Sequence, residues 1–146
     1  MTHFYVINGP NLNLLGQRNP DIYGGFSYET LVQTIDEHAK AASVQLSHFQ
    51  SNHEGDLIDW LHQADQENIA GVLLNAGAFT HYSYALHDAI EAIRVPVIEI
   101  HLSDISRRKE SWRHTSVIAP VVKKTFQGEG IDSYRKGLDY LIKQPV

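Results

Sequence analysis

Residues 69–74, Ile-Ala-Gly-Val-Leu-Leu, form a nearly continuous apolar run that is broken by Asn75-Ala76-Gly77-Ala78. A short run of this kind, bounded by turn formers, suits a central strand of a parallel sheet covered on both faces. Its flanks support that reading. Before it, Leu57, Ile58, Leu61 and Ala64 mark a helix, entered through the turn and cap Ser51-Asn52-His53-Glu54-Gly55. Val44–Gln50 reads as a second strand, less apolar and therefore suited to a sheet edge. Leu31, Val32, Ile35 and Ala39 recur at helical spacing over residues 28–42, with Ser27 placed to cap the helix and Glu29 in its first turn. His3–Asn8 is rich in aromatic and β-branched residues and reads as the first strand.

After the central run the pattern repeats. Residues 83–93 form a helix with Ala85, Leu86, Ala89, Ile90 and Ile93 inward, and Val95–Leu102 is the fourth strand with Pro96 at its start. Residues 103–116 are polar and arginine-rich. Val117–Val122 reads as a short fifth strand, and Asp132 is placed to cap a last helix carrying Tyr134, Leu138, Leu141 and Ile142 on one face. Five strands alternating with helices predict one α/β domain over residues 1–146: a doubly wound parallel sheet in a three-layer αβα arrangement, with the flavodoxin-like order 2-1-3-4-5.

The bulk composition narrows the function classes. The chain has 146 residues, 42% hydrophobic and 20% charged, with a net charge of −5, as in an ordinary soluble domain. The acidic balance argues against a nucleic-acid partner. There are no cysteines, which removes thiol catalysis, disulfides and zinc–thiolate sites. No apolar run approaches the ~18 residues of a membrane span, and the first residues lack a signal-peptide pattern. The expectation is a cytoplasmic protein without membrane contact.

In an open parallel sheet, ligands bind beyond the carboxyl ends of the strands, where the strand order reverses. With order 2-1-3-4-5 the ends of the first, third and fourth strands converge there. They carry Asn8 and Asn11, Asn75 and His81, and His101, Leu102 and Ser103. The long polar stretch from Asn8 to Gly24 adds Arg18 and Tyr23. No carboxylate joins His81 and His101 in a metal-binding pattern. The turn after the first strand offers one glycine and a proline, poor material for a phosphate cradle. No nucleophile elbow is present. Proton transfer remains. A tyrosine needs a nearby cation to act as a base at neutral pH, because its free pKa is near ~10; Arg18 stands close to Tyr23 in sequence. Glu99 shares a strand face with His101 and is placed to orient the imidazole and hold it protonated. Such a set suits removal of a proton beside a carbonyl followed by loss of water, with asparagine polarising the enolate oxygen.

These residues also fall in ordered motifs: NGPNLNLLG, R-x-P-x-x-YG, QSNHEGDLIDW, NAGAFTHYSYAL-x-DAI, IEIHLSD and WRHTSVIAP. Together they closely resemble the type II 3-dehydroquinate dehydratases, almost from end to end and more weakly after Val122. The resemblance implies a flavodoxin-like lyase, without cofactor or metal, that converts 3-dehydroquinate to 3-dehydroshikimate by anti elimination through an enolate. It implies Tyr23 as base, Arg18 as its electrostatic support and Asn11 as holder of the enolate-stabilising water. It implies His101 as acid with Glu99 behind it, and Asn75, His81, Leu102, Ser103 and Arg113 as substrate-binding. Asp88 matches a residue supplied to a neighbouring subunit, within a homo-oligomer that the resemblance makes a dodecamer, a tetramer of trimers. Asn19 and Asp104 depart from the family pattern, the segment RRKESWRHTS is one residue longer than usual, and the second arginine role falls to Arg107 or Arg108.

Taken singly, each of these residues has an ordinary structural explanation: a surface tyrosine, a solvated arginine, asparagines satisfying turns. The competing function is a flavodoxin-like binding module that has lost its chemistry, which would be expected to have lost Tyr23, Arg18 or His101. Residues 16–24 read as a mobile lid carrying Arg18 and Tyr23 over the substrate.

Overall fold

The computed structural model describes residues 1–144. It contains one five-stranded parallel sheet, β1 (His3–Asn8), β2 (Gln45–Gln50), β3 (Gly71–Asn75), β4 (Val97–His101) and β5 (Lys124–Gln127). The order is β2-β1-β3-β4-β5. The helices are a short α1 (Pro20–Tyr23), then α2 (Tyr28–Ala41), α3 (Glu54–Gln66), α4 (Tyr84–Ala92) and α5 (Ile131–Ile142).

Alternation along the central strands sorts the core into two layers. Phe4, Val6, Leu73, Ile98 and Ile100 face one way and are covered by Leu31 and Ile35 of α2 and Tyr134, Leu138 and Leu141 of α5. Tyr5, Ile7, Val72, Leu74 and Val97 face the other way, against Leu57 and Leu61 of α3 and Leu86, Ala89 and Ile90 of α4. Both faces of β3 are therefore apolar, which is why its sequence is a continuous run rather than an alternating one. Ser27 caps α2 as its sequence predicts, its Oγ accepting from Thr30 N at 3.1 Å; at the start of α4 Ser83 Oγ accepts from Leu86 N at 3.0 Å.

Two expectations are corrected. The fifth strand is not Val117–Val122 but Lys124–Gln127. Ala119–Val121 is a 3-10 turn with a proline in its first turn, and Ile118, with its neighbours Val117, Val121 and Val122, packs onto the α3–α4 layer. These side chains roof the sheet in place of a crossover helix. The real strand lies at an edge, half-exposed, so its sequence is polar. The last helix is also capped differently: Gly130 holds the N-cap position at φ 58°, and Asp132 sits within the first turn, where a carboxylate still favours the helix dipole.

Among the described residues no helix is long and apolar enough to cross a membrane.

Candidate active site

Two loops form the floor of the crevice, one after β1 and one after β3. Gly9 N donates to Asn75 O at 2.7 Å, and a Cβ on Gly9 would lie 2.6 Å from Ala76 O, so only glycine permits this approach. Asn11 adopts φ 68°, a left-handed conformation that asparagine tolerates. Its backbone N–H donates to Asn52 Oδ1 at 3.0 Å, and Gln50 Nε2 donates to Gly9 O at 3.1 Å. The side chain of Asn75 is fixed at both ends: Oδ1 accepts from Gly77 N at 3.2 Å and Nδ2 donates to Tyr134 Oη at 2.9 Å.

The stretch between β1 and α2 closes over this floor. Asn19 Oδ1 caps α1 by accepting from Asp21 N at 3.0 Å, which gives this departure from the family pattern a local reason. The single turn of α1 carries Tyr23 back over Arg18, whose Nη2 donates to Tyr23 Oη at 2.5 Å, with the guanidinium carbon 3.7 Å from the ring centroid. Arg108 Nη2 donates to the same oxygen at 2.8 Å. Burial draws the Arg18 pKa below its ordinary range; Tyr23 opposes that shift, and the positive charges of Arg108 and Arg113 add to it.

β4 brings Glu99 and His101 together as their shared strand face requires. His101 Nε2 lies 2.6 Å from Glu99 Oε2, so a proton on Nε2 is donated to the carboxylate and Nδ1 is left without a partner among the described residues. Glu99 is fully buried. Burial pushes its pKa up, but the bonds and charge of His101, with hydrogen bonds from Ser116 and Thr125, bring it below the ordinary glutamate value. His81 Nδ1 donates to Thr115 O at 2.8 Å. Burial lowers the His81 pKa, the Thr115 bond opposes this, and the nearby His101, Arg113 and Arg108 lower it further. The ring is thus neutral at neutral pH, with Nε2 available as an acceptor.

The crevice is lined by Asn11, Arg18, Tyr23, Asn75, His81, His101, Leu102, Ser103, Arg108 and Arg113, together with apolar and glycine positions. Nine of the sequence-expected residues thus meet in one place. Three do not line it: Asn8 is buried, its Oδ1 accepting from Tyr134 Oη at 2.5 Å; Glu99 stands behind His101; and Asp88 is exposed on α4, paired with His87 at 3.0 Å. Arg108, not Arg107, enters the crevice. Asp104 caps the following turn and pairs with Arg107 at 3.7 Å, and this turn sends the two arginines in different directions. Adjacent arginines carry no local signal of that choice. Ser116, Thr125 and Tyr134 were missed because their partners are far away in sequence. Among the described residues no aspartate or glutamate lines the crevice, whereas three arginines do, so it is built for an anion. Among the described residues, the His, Asp and Glu side chains close enough to share a metal ion are His87, Asp88 and Glu91 on the surface of α4, away from this lining.

The sequence model for the family described as Dehydroquinase class II matches residues 2–142. The chain belongs to that family. Among its relatives it is 51% identical, over 98% of its length and 97% of the relative, to a 3-dehydroquinate dehydratase of Halalkalibacterium halodurans. It is 49% identical, over 99% of its length and 97% of the relative, to one of Bacillus pumilus. A type II dehydroquinase from Butyrivibrio crossotus superposes with a TM-score of 0.95 at 41% identity, covering 97% of this chain and 98% of that one. The dehydroquinase fold of these relatives is therefore the fold of this chain, and its crevice sits where the β1, β3 and β4 ends converge.

Proposed function

We propose that this crevice dehydrates 3-dehydroquinate to 3-dehydroshikimate by anti elimination through an enolate. The observation that carries the reading is the presence of two proton-transfer groups in one crevice: Tyr23 Oη held by two guanidiniums, and His101 held by a buried carboxylate. The names of the relatives supply the substrate, and the geometry supports the roles. Two arginines put positive charge where a tyrosinate forms. Tyr23 takes the proton from the carbon beside the substrate carbonyl. Electron density moves to the carbonyl oxygen, and Asn11 stabilises it through a bound water. His101 donates from Nδ1 to the departing hydroxyl, which leaves as water, while Glu99 compensates the imidazolium charge.

Asn75, His81 and Arg113 bind the substrate hydroxyls and carboxylate, with the Leu102–Ser103 backbone. The neutral His81 Nε2 accepts from a hydroxyl. Residues 16–24 act as the lid. Asp88, exposed in the single chain, serves the site of a neighbouring copy in a trimer, and the trimers build a dodecamer.

Addition of 3-dehydroquinate to the purified protein is expected to produce the ultraviolet absorbance of the conjugated enone product. Folded protein that yields no such signal overturns the assignment.

A further inference from the structure

The Glu99 carboxylate is satisfied unevenly. Oε2 accepts from His101 Nε2 at 2.6 Å and from Ser116 Oγ at 2.7 Å. Oε1 accepts from Thr125 Oγ1 at 3.0 Å, and among the described residues no other side chain or backbone group donates to it. The Glu99 side chain is 1% exposed, so bulk water does not make up the difference. A buried carboxylate oxygen without its donor is costly, and the charge it carries is the one that faces His101.

Thr125 reaches Glu99 because of strand register. In the parallel β4–β5 pair, Glu99 and Thr125 are directly opposed, so their side chains stand on the same face. The neighbouring Lys124 and Gln127 are exposed, and Lys124 Nζ lies 5.7 Å from the Phe126 ring centroid. On this strand it is Thr125 that faces the buried carboxylate. The titratable group against Glu99 from its own strand is His101; the segment before Ile118 contributes Ser116, and β5 contributes Thr125. His81, Arg108 and Arg113 line the same crevice as His101.

We infer that Thr125 is a positioning residue for the proton-donating step: its hydroxyl fixes Oε1, holds Glu99 as a carboxylate and thereby keeps the shared proton on the His101 ring. This rests on the acid role proposed for His101. Without that hydroxyl, Glu99 competes for the proton, and His101 Nε2 loses a charged partner as the pH falls.

The test is the pH profile of kcat for 3-dehydroquinate dehydration in the wild type, Thr125→Val and Thr125→Ser. Valine keeps the β-branched shape and removes the donor; serine keeps the donor. In Thr125→Val the acidic limb is expected to move upward by about one to two pH units, the worth of one hydrogen bond to a charged group. The sign follows from the lost donor, which raises the carboxyl pKa so that the carboxylate disappears earlier on acidification. KM is expected to stay within about two-fold, because Thr125 does not line the crevice, and Thr125→Ser is expected to restore the wild-type limb. An unmoved limb in a folded, active Thr125→Val protein overturns the inference, as does a shift that serine fails to reverse. A wild type without dehydratase activity refutes the proposed function instead, so the two failures are distinguishable.

Discussion

Two contrasts between like residues define the site at the scale of single side chains. Tyr23 is one of seven tyrosines, and Arg18 and Arg108 both donate to its hydroxyl. Tyr23→Phe keeps the ring under Arg18 and removes the oxygen. It is expected to lower kcat by about 10²–10⁴-fold, the usual worth of general base catalysis, with substrate affinity, measured by calorimetry, nearly unchanged. Turnover close to wild type would refute Tyr23 as the base. The second contrast is between Arg107 and Arg108. Arg108→Ala is expected to cost about 10²-fold in kcat. Arg107→Ala, removing a side chain that is 87% exposed, is expected to change it by less than about two-fold, as surface substitutions commonly do. Equal effects in steady-state kinetics would overturn the assignment. Asn11, Arg18, Tyr23 and His101 were legible from sequence because each lies in a motif at a strand end or in the adjoining loop. Arg108 was not, because one residue of displacement around a 3-10 turn decides which guanidinium turns inward.

The secondary-structure elements were legible wherever their covering was regular. The first four strands and the helices α2, α3 and α4 follow from periodicity and caps, whereas α1 is a single turn inside a stretch that reads as a loop. β5 did not follow, because Val117–Val122 has the composition of a strand but spends its side chains on the α3–α4 layer, while the edge strand needs few apolar residues. That misplacement also hid Thr125, whose importance is visible only in the register with Glu99. The seating of α5 has a comparable hidden requirement. A Cβ on Gly137 would lie 2.7 Å from Ile100 Cδ1 and 3.0 Å from Leu73 Cδ2. Gly137→Val therefore forces the helix off the sheet and is expected to destabilise the fold by about 1–3 kcal/mol, read from urea unfolding. Unchanged stability would show that the sheet accommodates the added bulk. The displacement also disturbs Tyr134, which accepts from Asn75 Nδ2 and donates to Asn8 Oδ1 at 2.5 Å. Burial drives the Tyr134 pKa above its ordinary range, so it remains a neutral hydroxyl that donates to Asn8 and accepts from Asn75.

For the whole molecule, a chain of net charge −5 confines three arginines and two histidines to one crevice, which concentrates positive potential where an anionic substrate enters. The remaining question at this scale is assembly. Asp88 is 78% exposed in the single chain and lies outside the crevice lining. If it completes a neighbour's site, activity follows the trimer: sedimentation at decreasing protein concentration is expected to show specific activity falling as trimers dissociate. Asp88→Ala is expected to lower kcat/KM by about ten-fold, in the range of one charged hydrogen bond. A fully active monomer would overturn this reading.

Sequence alone determined the parallel sheet, its strand order and the end of it at which polar groups collect. Those follow from local rules: buried strands are continuously apolar, edge strands are less so, and crossovers impose alternation. It also determined, through its motifs, most of the crevice lining. Tertiary structure decided which arginine faces Tyr23, where the last strand runs, and that Glu99 accepts from Thr125 and Ser116 as well as His101. Each of these is set by a contact or a turn whose outcome depends on packing from distant parts of the chain, and no local periodicity encodes such a choice. The stretch Ile69–Leu74 could announce a buried strand by itself; the meaning of Thr125 exists only once β5 lies beside β4.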